Sequence, residues 1–232
     1  MTTEPAGSRS RAFVLVPGAG GAATWYWRRV VPLLEAAGHE AISVDLRATD
    51  ASAGLRGYAR AVIGAIGGRD TVVLVATSLG GFTAPLVAEQ VPLSALVLVN
   101  AMIPEPGESA AGWWDNTGQP EARKRAAERG GYCAEFDLDT YFFHDLPAGG
   151  AAYGSPDQHD EPDAVFEAPC AFITWPDVPI RVVAGAGDRF FPATFQQRVA
   201  RERLSVEADL LPGGHLMALS QPEPLARYLL GG

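Results

Sequence analysis

The sequence predicts an α/β fold: a six-stranded, mostly parallel sheet with helices on both of its faces. The first observation behind this prediction is that short, valine-rich apolar runs alternate with helical patterns of about 10 to 15 residues, which is typical of βαβ units. The second is the length of 232 residues, which suffices for one sizeable core. The third is the composition, because 47% apolar and 19% charged residues are typical of a soluble globular protein.

Each strand prediction rests on a continuous apolar run, because a strand covered by helices on both faces is buried on both sides. The predicted strands are residues 13–16, 41–44, 73–77, 95–99, 180–184 and 206–210. The predicted helices are residues 24–37, 55–66, 82–91, 192–203 and 216–230. We expect the strand order 2-1-3-4-5-6, in which a ligand crevice forms where the connections after strands 1 and 3 diverge.

One long segment, residues 101–175, interrupts this pattern. It is rich in glycine, proline and aromatic residues, and a helix is predicted near residues 121–129. Between residues 104 and 169 there are 14 acidic and four basic residues, so this segment carries the acidity of a chain whose net charge is −9. We expect it to be a lid, inserted after the fourth strand into a core formed by residues 12–100 and 176–232.

The sequence argues against several classes of partner. No apolar run approaches the roughly 20 residues that span a bilayer. The polar residues 1–11 predict a flexible tail and no signal peptide. The chain lacks a basic patch of the kind that attracts nucleic acid. Cys133 and Cys170 show neither metal-ligand spacing nor a disulfide framework, so we expect a cytoplasmic protein. We expect no metal or cofactor, and the sequence does not indicate an oligomeric state.

A serine at the end of the third strand is the central functional signal. Ser78 stands between a strand and a helix, and the positions two residues before and after it hold Ala76 and Gly80. Apart from Ala76, this matches the G-x-S-x-G nucleophile elbow, in which a strained turn with small neighbours exposes the serine hydroxyl. The Leu79 N–H at the start of the helix could face a developing negative charge. The simpler alternative is that Ser78 only caps the helix.

The glycine-rich loop after the first strand, residues 17–21, allows two interpretations. Together with the next two residues it satisfies the dinucleotide-binding pattern G-x-G-x-x-G/A, over residues 18–23, and Asp45 ends the next strand, near where an acid would bind a ribose. Against this, three large aromatic residues follow at 25–27, where a dinucleotide-binding helix needs small ones. In the second interpretation the loop curls so that the N–H of Ala19 joins that of Leu79 as an oxyanion hole.

A serine nucleophile needs a base and an orienting acid at the same edge of the sheet. Of the four histidines, His215 directly follows the last strand, whereas His39 precedes a strand and His144 and His159 lie in the insertion. Asp188 follows the fifth strand. The chain order serine, aspartate, histidine at one edge indicates a catalytic triad. For each residue alone, a solvated surface histidine and a turn-forming aspartate are the simpler alternatives.

With these residues in place, the chain from about residue 13 to residue 230 resembles the α/β-hydrolase superfamily. The segments WYW (25–27), TSLGG (77–81) and GHL (214–216) are similar to the branch that holds small esterases, methylesterases and hydroxynitrile lyases. Pro17 departs from the pattern, since it stands where the oxyanion loop often has a bracing histidine. The lyases carry threonine near that loop and lysine beside the histidine. Gly18 and Leu216 stand at those positions here, so the resemblance favours hydrolysis.

The resemblance implies an α/β-hydrolase fold with esterase activity on a small molecule. Ser78 would attack an ester or related acyl compound, with His215 as the base and Asp188 orienting it, while Ala19 and Leu79 stabilise the oxyanion. Two alternatives stay open. One is a non-catalytic protein of this fold that binds a small molecule, and the other is a lyase or C–C bond hydrolase that uses the same triad.

The substrate pocket is predicted from aromatic residues. We expect it to be lined by Trp25, near the oxyanion loop, and by Trp113, Tyr141 and Phe142 of the insertion. The alternative is that the aromatic residues of the insertion form a core of their own. The acidity of the insertion favours neutral or cationic substrates over polyanions.

Overall fold

The six predicted strands form one parallel sheet in the computed structural model, which describes residues 10–20, 22–46, 51–147 and 161–231. The strands are β1 (Ala12–Val16), β2 (Glu40–Ser43), β3 (Val72–Thr77), β4 (Ala95–Val99), β5 (Ile180–Gly185) and β6 (Ala208–Leu211). Their order is β2-β1-β3-β4-β5-β6 with every neighbouring pair parallel, which confirms the predicted order. The carboxyl ends of all six strands therefore lie at one edge.

Helices cover both faces of the sheet, as predicted. In chain order they are α1 (Ala23–Trp27), α2 (Val31–Ala36), α3 (Gly54–Ile66), α4 (Gly80–Ala88), α5 (Ala110–Thr117), α6 (Gln119–Gly130), α7 (Asp163–Glu167), α8 (Ala193–Leu204), α9 (Met217–Ser220) and α10 (Pro222–Leu230). Successive strand residues point to opposite faces. Val14 and Leu74 pack with α3, α4 and α8, whereas Leu15 and Val75 pack with α1, α2, α9 and α10. The sheet thus separates two apolar layers.

Two predicted helices are each divided in the structure. Residues 24–37 form α1 and α2, with a turn between them, and residues 216–230 form α9 and α10. The second division lies at Gln221, whose φ of −134° and ψ of 52° are not helical. Pro222 explains it, because the residue before a proline is disfavoured in the helical conformation, whereas proline itself fits the first turn of a helix.

The insertion between β4 and β5 shares the core of the sheet. Its predicted helix near residues 121–129 is α6. Trp113 of α5 and Val165 of α7 are fully buried in the same layer as Phe195 of α8. The rings of Trp113 and Phe195 meet edge-on, with their centroids 5.7 Å apart. The inner side of the insertion is therefore anchored on the core, whereas Tyr132, Phe136 and Tyr141 pack against one another within the insertion.

The two ends of the described chain also meet. Residues 1–9 of the predicted tail lie outside the described residues. The last two residues of that tail, Ser10 and Arg11, form hydrogen bonds to the rest of the protein. The Ser10 hydroxyl donates to the carbonyl of Gly38 at 3.1 Å, and the Arg11 guanidinium donates to the carbonyl of Leu230 at 2.6 Å. No helix among the described residues is long and apolar enough to cross a membrane.

A buried ion pair joins the insertion to α8. The side chains of Glu108 and Arg203 are only 5% and 7% exposed, and Arg203 Nη2 donates to Glu108 Oε1 at 3.0 Å. Asn116 also donates to this carboxylate, at 2.8 Å. Burial by itself would raise the pKa of Glu108. The hydrogen bonds from Arg203 and Asn116 outweigh that effect and hold the pKa below its ordinary value.

We expect Glu108→Gln to destabilise the fold by about 3 kcal/mol, because it leaves the Arg203 cation buried without a counter-charge. Urea unfolding at pH 7 measures the loss. The matched control is Glu202→Gln, since Glu202 pairs with Arg198 on the exposed surface of α8, where such pairs contribute less than about 1 kcal/mol. Equal losses in the two variants would contradict the assignment of this pair as an anchor.

The same pair predicts how stability depends on pH. A carboxyl group whose pKa is lower in the folded state contributes stability above its unfolded value, and loses it as the pH falls through the folded value. The unfolded value is about 4.5. The stability difference between wild type and Glu108→Gln should therefore be constant above about pH 5.5 and shrink below pH 4.5. A difference that grew in acid would contradict this linkage.

Candidate active site

The backbone at Ser78 has the strained conformation that a nucleophile elbow requires. Ser78 lies between the end of β3 at Thr77 and the start of α4 at Gly80, and its φ is +49°. Residues with a side chain rarely adopt such a φ, at a cost of roughly 1–3 kcal/mol. The turn is held on both sides, because the Ser78 N–H donates to the carbonyl of Asn100 and the Ser78 carbonyl accepts from the N–H of Met102. The hydroxyl is thereby held at the carboxyl edge of the sheet.

Two glycines let the loop after β1 pack directly against this elbow. A Cβ at Gly80 would lie 2.5 Å from the carbonyl oxygen of Pro17, and one at Gly18 would lie 2.8 Å from the Cβ of Ser78. Both distances are too short for non-bonded atoms, so each position needs a residue without a side chain. The loop that the sequence links to an oxyanion hole is therefore in contact with the serine.

The three residues predicted as a triad form one chain of hydrogen bonds. His215 Nε2 lies 3.1 Å from Ser78 Oγ, and His215 Nδ1 lies 2.9 Å from Asp188 Oδ2. His215 is 2% exposed and Asp188 is 5% exposed. Each follows the carboxyl end of a different strand: β3 for Ser78, β5 for Asp188 and β6 for His215. In this arrangement the imidazole can take the hydroxyl proton while the carboxylate stabilises the resulting cation.

The surroundings of Asp188 set the tautomer of His215. Asp188 Oδ1 accepts the backbone N–H groups of Phe190 and Phe191, both at 2.8 Å. Asp188 Oδ2 accepts the side-chain amide of Gln196 at 3.2 Å as well as the imidazole. A carboxylate surrounded by donors acts as an acceptor only. The proton of the neutral imidazole therefore lies on Nδ1, and Nε2 is free to accept from Ser78.

Aromatic rings enclose His215. Phe142 of the insertion and Phe190 and Phe191 after β5 all meet the imidazole edge-on, with centroid distances of 4.8, 5.2 and 4.9 Å. These rings limit the access of water to the imidazole, and a hydrogen bond in such surroundings is electrostatically stronger than in water.

The predicted oxyanion-hole residues, Ala19 and Leu79, both line the cavity beside Ser78. Neither of their N–H groups donates a hydrogen bond to any atom within the described part of the chain. The next N–H, that of Gly20, donates to Glu161 Oε1 at 2.8 Å, and Glu161 Oε2 accepts from the hydroxyl of Tyr58 at 2.6 Å. A carboxylate from the insertion thus braces the loop in which Pro17 stands in place of a histidine. Burial raises the pKa of Glu161.

A cavity of about 450 Å³ opens above Ser78 and His215. Trp25 and Phe142 line it, as predicted. Tyr26 also lines it, and burial raises the pKa of this phenol to about 12, so it stays neutral. Among the residues that the structure describes, Glu161 is the one carboxyl side chain in this lining, and no lysine or arginine lies there.

Two predicted pocket residues do not line this cavity. Trp113 is fully buried in the core layer, where its indole N–H donates to the carbonyl of Ile103. Tyr141 is fully buried within the insertion, and its hydroxyl donates to the carbonyl of Cys133 at 2.8 Å. Adjacent helical residues point in different directions, so Trp114 lines the cavity in place of Trp113.

Three polar residues that contact the site were missed by the sequence analysis: Asn100, Gln196 and Glu161. Asn100 directly follows β4, and a search of that edge for any polar side chain, instead of for acids alone, would have found it. Gln196 lies eight residues after Asp188, on a helix that carries no motif. Glu161 is 141 residues from Gly20, so no local pattern connects the two. No group of three or more metal-ligating side chains is present among the described residues.

A family comparison agrees with this fold and geometry. Residues 13–228 match the model of the alpha/beta hydrolase family, and the chain belongs to that family. Polyneuridine aldehyde esterase from Rauvolfia serpentina is 35% identical over 113 residues, which cover 44% of this chain and 42% of that protein. Methylesterase 7 from Arabidopsis thaliana is 36% identical over 111 residues, 42% of each chain. The chain thus spans about two fifths of the length of the curated relatives that it matches.

The similarity of fold extends over nearly the whole chain. The crystal structure of polyneuridine aldehyde esterase superimposes with a TM-score of 0.73 at 22% identity, covering 96% of this chain and 99% of that one. A pyrethroid hydrolase from Sphingobium faniae JZ-2 gives a TM-score of 0.70 at 20% identity, covering 96% of each. The family match favours the oxyanion interpretation of the glycine loop over the dinucleotide one.

Proposed function

We propose that this protein is a serine esterase that cleaves a small-molecule carboxylic ester by two-step acyl transfer. The observation that carries the proposal is the chain of hydrogen bonds from Ser78 through His215 to Asp188 at the floor of a cavity. The activities named for its relatives, an esterase, a methylesterase and a pyrethroid hydrolase, support the same reaction class. All three named activities are hydrolytic.

In the first step Ser78 Oγ attacks the carbonyl carbon while its proton passes to His215 Nε2. The carbonyl oxygen becomes an anion that accepts hydrogen bonds from the N–H groups of Ala19 and Leu79. The tetrahedral intermediate then collapses. The imidazolium gives its proton to the departing alkoxide, and an alcohol and an acyl-enzyme result.

In the second step a water molecule takes the place of the alcohol. His215 removes a proton from the water as it attacks the acyl carbon, and the oxyanion again faces Ala19 and Leu79. The intermediate collapses with transfer of the proton from the imidazolium to Ser78 Oγ. A carboxylic acid leaves and the enzyme is restored. No redox change occurs in either step.

The cavity favours an apolar substrate of modest size. A volume of about 450 Å³ is in the range of small-molecule sites, which span roughly 300–1,000 Å³. Its walls carry aromatic side chains from both the core and the insertion, including Trp25, Trp114 and Phe142. We infer that the insertion acts as a lid that shapes the acyl or alcohol pocket.

Hydrolysis is favoured over cyanohydrin cleavage by the residue after the histidine. Leu216 lines the cavity at the position where the lyases carry lysine, so no cation stands there to bind a cyanide leaving group. Product analysis separates the reactions, because hydrolysis of an ester yields an acid and an alcohol, whereas cleavage of a cyanohydrin yields cyanide and a carbonyl compound.

The test of the proposal is a panel of p-nitrophenyl esters of graded chain length, combined with covalent labelling by a fluorophosphonate probe. We expect release of p-nitrophenol and stoichiometric labelling of the wild type. A well-folded protein that neither labels nor turns over any ester would contradict the proposal and favour the non-catalytic binding protein.

We expect Trp114→Ala to shift selectivity towards larger esters. Removing the indole enlarges the cavity, so the ratio of kcat/KM for the longest ester to that for the acetate should rise by about 10-fold. Steady-state kinetics over the ester panel measures this ratio. Trp175→Ala is the control, because Trp175 also belongs to the insertion but donates to the carbonyl of Pro104 outside the cavity lining. An equal shift in both variants would contradict a direct role for Trp114.

A further inference from the structure

Asn100 is a buried polar residue at the centre of the carboxyl edge of the sheet. It is the first residue after β4, the strand that lies between β3, which leads to Ser78, and β5, which leads to Asp188. Its side chain is completely buried, and its φ is +45°. Burying an amide and holding its backbone at a positive φ both cost free energy, so the hydrogen bonds of this residue must offset that cost.

The side chain of Asn100 makes three hydrogen bonds, two as donor and one as acceptor. Nδ2 donates to the carbonyl of Gly214 at 2.9 Å and to the carbonyl of His215 at 3.1 Å. Oδ1 accepts the N–H of Gly185 at 2.7 Å. Gln196 Nε2 lies a further 3.3 Å from Oδ1, but its two hydrogens are directed mainly to the carbonyl of Phe191 at 2.6 Å and to Asp188 Oδ2 at 3.2 Å.

The backbone of Asn100 adds a link to the nucleophile. Its carbonyl accepts the N–H of Ser78 at 3.2 Å, and its own N–H donates to the carbonyl of Val183 in β5 at 2.9 Å. Gln196 Nε2, which lies 3.3 Å from Asn100 Oδ1, donates to Asp188 Oδ2 at 3.2 Å. Asn100 therefore contacts the turn at Ser78 and the loop that contains Gly214 and His215. It also contacts the end of β5 and helix α8, the two elements that position Asp188.

We propose that Asn100 is a positioning residue that fixes the Ser78 hydroxyl, the His215 imidazole and the Asp188 carboxylate at reacting distance. This inference rests on the proposed function. Asn100 acts only through other residues, because it is absent from the cavity lining among the described residues. Its loss should therefore lower kcat and leave KM nearly unchanged, since only the alignment of the reacting groups depends on it.

Only an amide satisfies all of these partners. Aspartate has nearly the same shape and tolerates a positive φ, but it presents an oxygen to the carbonyls of Gly214 and His215, where Asn100 presents N–H groups. Glycine removes the amide and relaxes the backbone, because a φ of +45° costs glycine nothing. The two variants thus separate the hydrogen bonds of the side chain from the strain of the backbone.

The experiment compares Asn100→Gly and Asn100→Asp with the wild type in the ester assay. A displacement of about 1 Å between reacting groups can lower the rate by about 100-fold. We expect kcat to fall between about 10- and 100-fold in Asn100→Gly and further in Asn100→Asp, with KM within about 2-fold in both. The low-field NMR resonance of the His215 Nδ1 proton should broaden or disappear in both variants, because that proton is held between the imidazole and Asp188.

Thr117→Val is the control for a merely structural effect. Thr117 is also buried and donates to a backbone carbonyl, that of Trp113 at 2.7 Å, but it lies on α5 away from the triad. We expect this variant to lose thermal stability while kcat and the low-field resonance stay as in the wild type. Rates are taken per folded molecule, with the folded fraction read from the unfolding curve, so a destabilised variant still gives a result.

The outcomes separate this inference from the proposed function. If the wild type fails to label with fluorophosphonate and to cleave esters, the proposed function fails. If the wild type is active and either Asn100 variant keeps its kcat and the Nδ1 resonance, the positioning role is overturned. If Thr117→Val loses kcat as the Asn100 variants do, the effect is one of stability and the inference is also overturned.

Discussion

Ser78→Ala is expected to lower kcat for ester hydrolysis by about 10⁶-fold, because no other group stands where Ser78 Oγ meets His215 Nε2 at 3.1 Å. The fold should survive, since the carbonyl and N–H groups that hold the turn belong to the backbone. Initial rates with the best ester of the panel measure kcat. Labelling by fluorophosphonate should be lost entirely, because the variant lacks the nucleophile.

The matched control for this variant is Ser205→Ala. Ser205 has a φ of +55°, close to that of Ser78, but it lies exposed at the end of α8. Serine and alanine both carry a Cβ, so the cost of about 1–2 kcal/mol for this conformation is already present in the wild type at both positions. Ser205→Ala should therefore change stability little and keep full activity. If Ser78→Ala kept most of its activity, the elbow would have no part in the mechanism.

Asp188→Asn is expected to lower kcat by about 10⁴-fold. Asp188 now accepts four hydrogen bonds, from two backbone N–H groups, from Gln196 and from His215. An asparagine has one oxygen, so its NH₂ group must face donors on one side. When that group faces His215, it favours the tautomer with the proton on Nε2, and the imidazole can no longer accept from Ser78.

Kinetics of Asp188→Asn on the same ester panel measure this loss, with thermal unfolding to confirm that the variant is folded. Asp209→Asn serves as the control, because Asp209 on β6 also accepts a hydrogen bond, from the hydroxyl of Tyr228, but on the exposed surface. That variant should keep full kcat. If Asp188→Asn were as active as Asp209→Asn, another acid would have to orient His215.

The positions of the strands and the sheet edge at which the candidate site lies could be predicted from the sequence. Short, valine-rich apolar runs such as residues 73–77 are typical of strands that are buried on both faces of a sheet. The parallel order then follows from the alternation of strands and helices. Because the carboxyl ends of parallel strands share an edge, residues that follow the strands are brought together. Ser78, Asp188 and His215 were predicted in this way, from their place after a strand.

The division between α9 and α10 could also have been predicted from the sequence, although residues 216–230 were predicted as one helix. Pro222 follows Gln221, and a residue before proline leaves the helical conformation for a local steric reason. The prediction of one helix over residues 216–230 gave more weight to apolar periodicity than to this restriction. The physical rule is local, so this error did not depend on tertiary structure.

What only the tertiary structure decided is which side chains of the insertion and of the strand ends reach the site. Trp113 and Trp114 are chemically identical and adjacent, and the packing of α5 against Phe195 turns the first into the core and leaves the second in the cavity. Asn100 and Glu161 gain their partners from segments up to about 140 residues away. Local sequence patterns report the conformation of neighbours along the chain, whereas these contacts depend on the balance of burial and hydrogen bonding among elements that meet only in the folded protein.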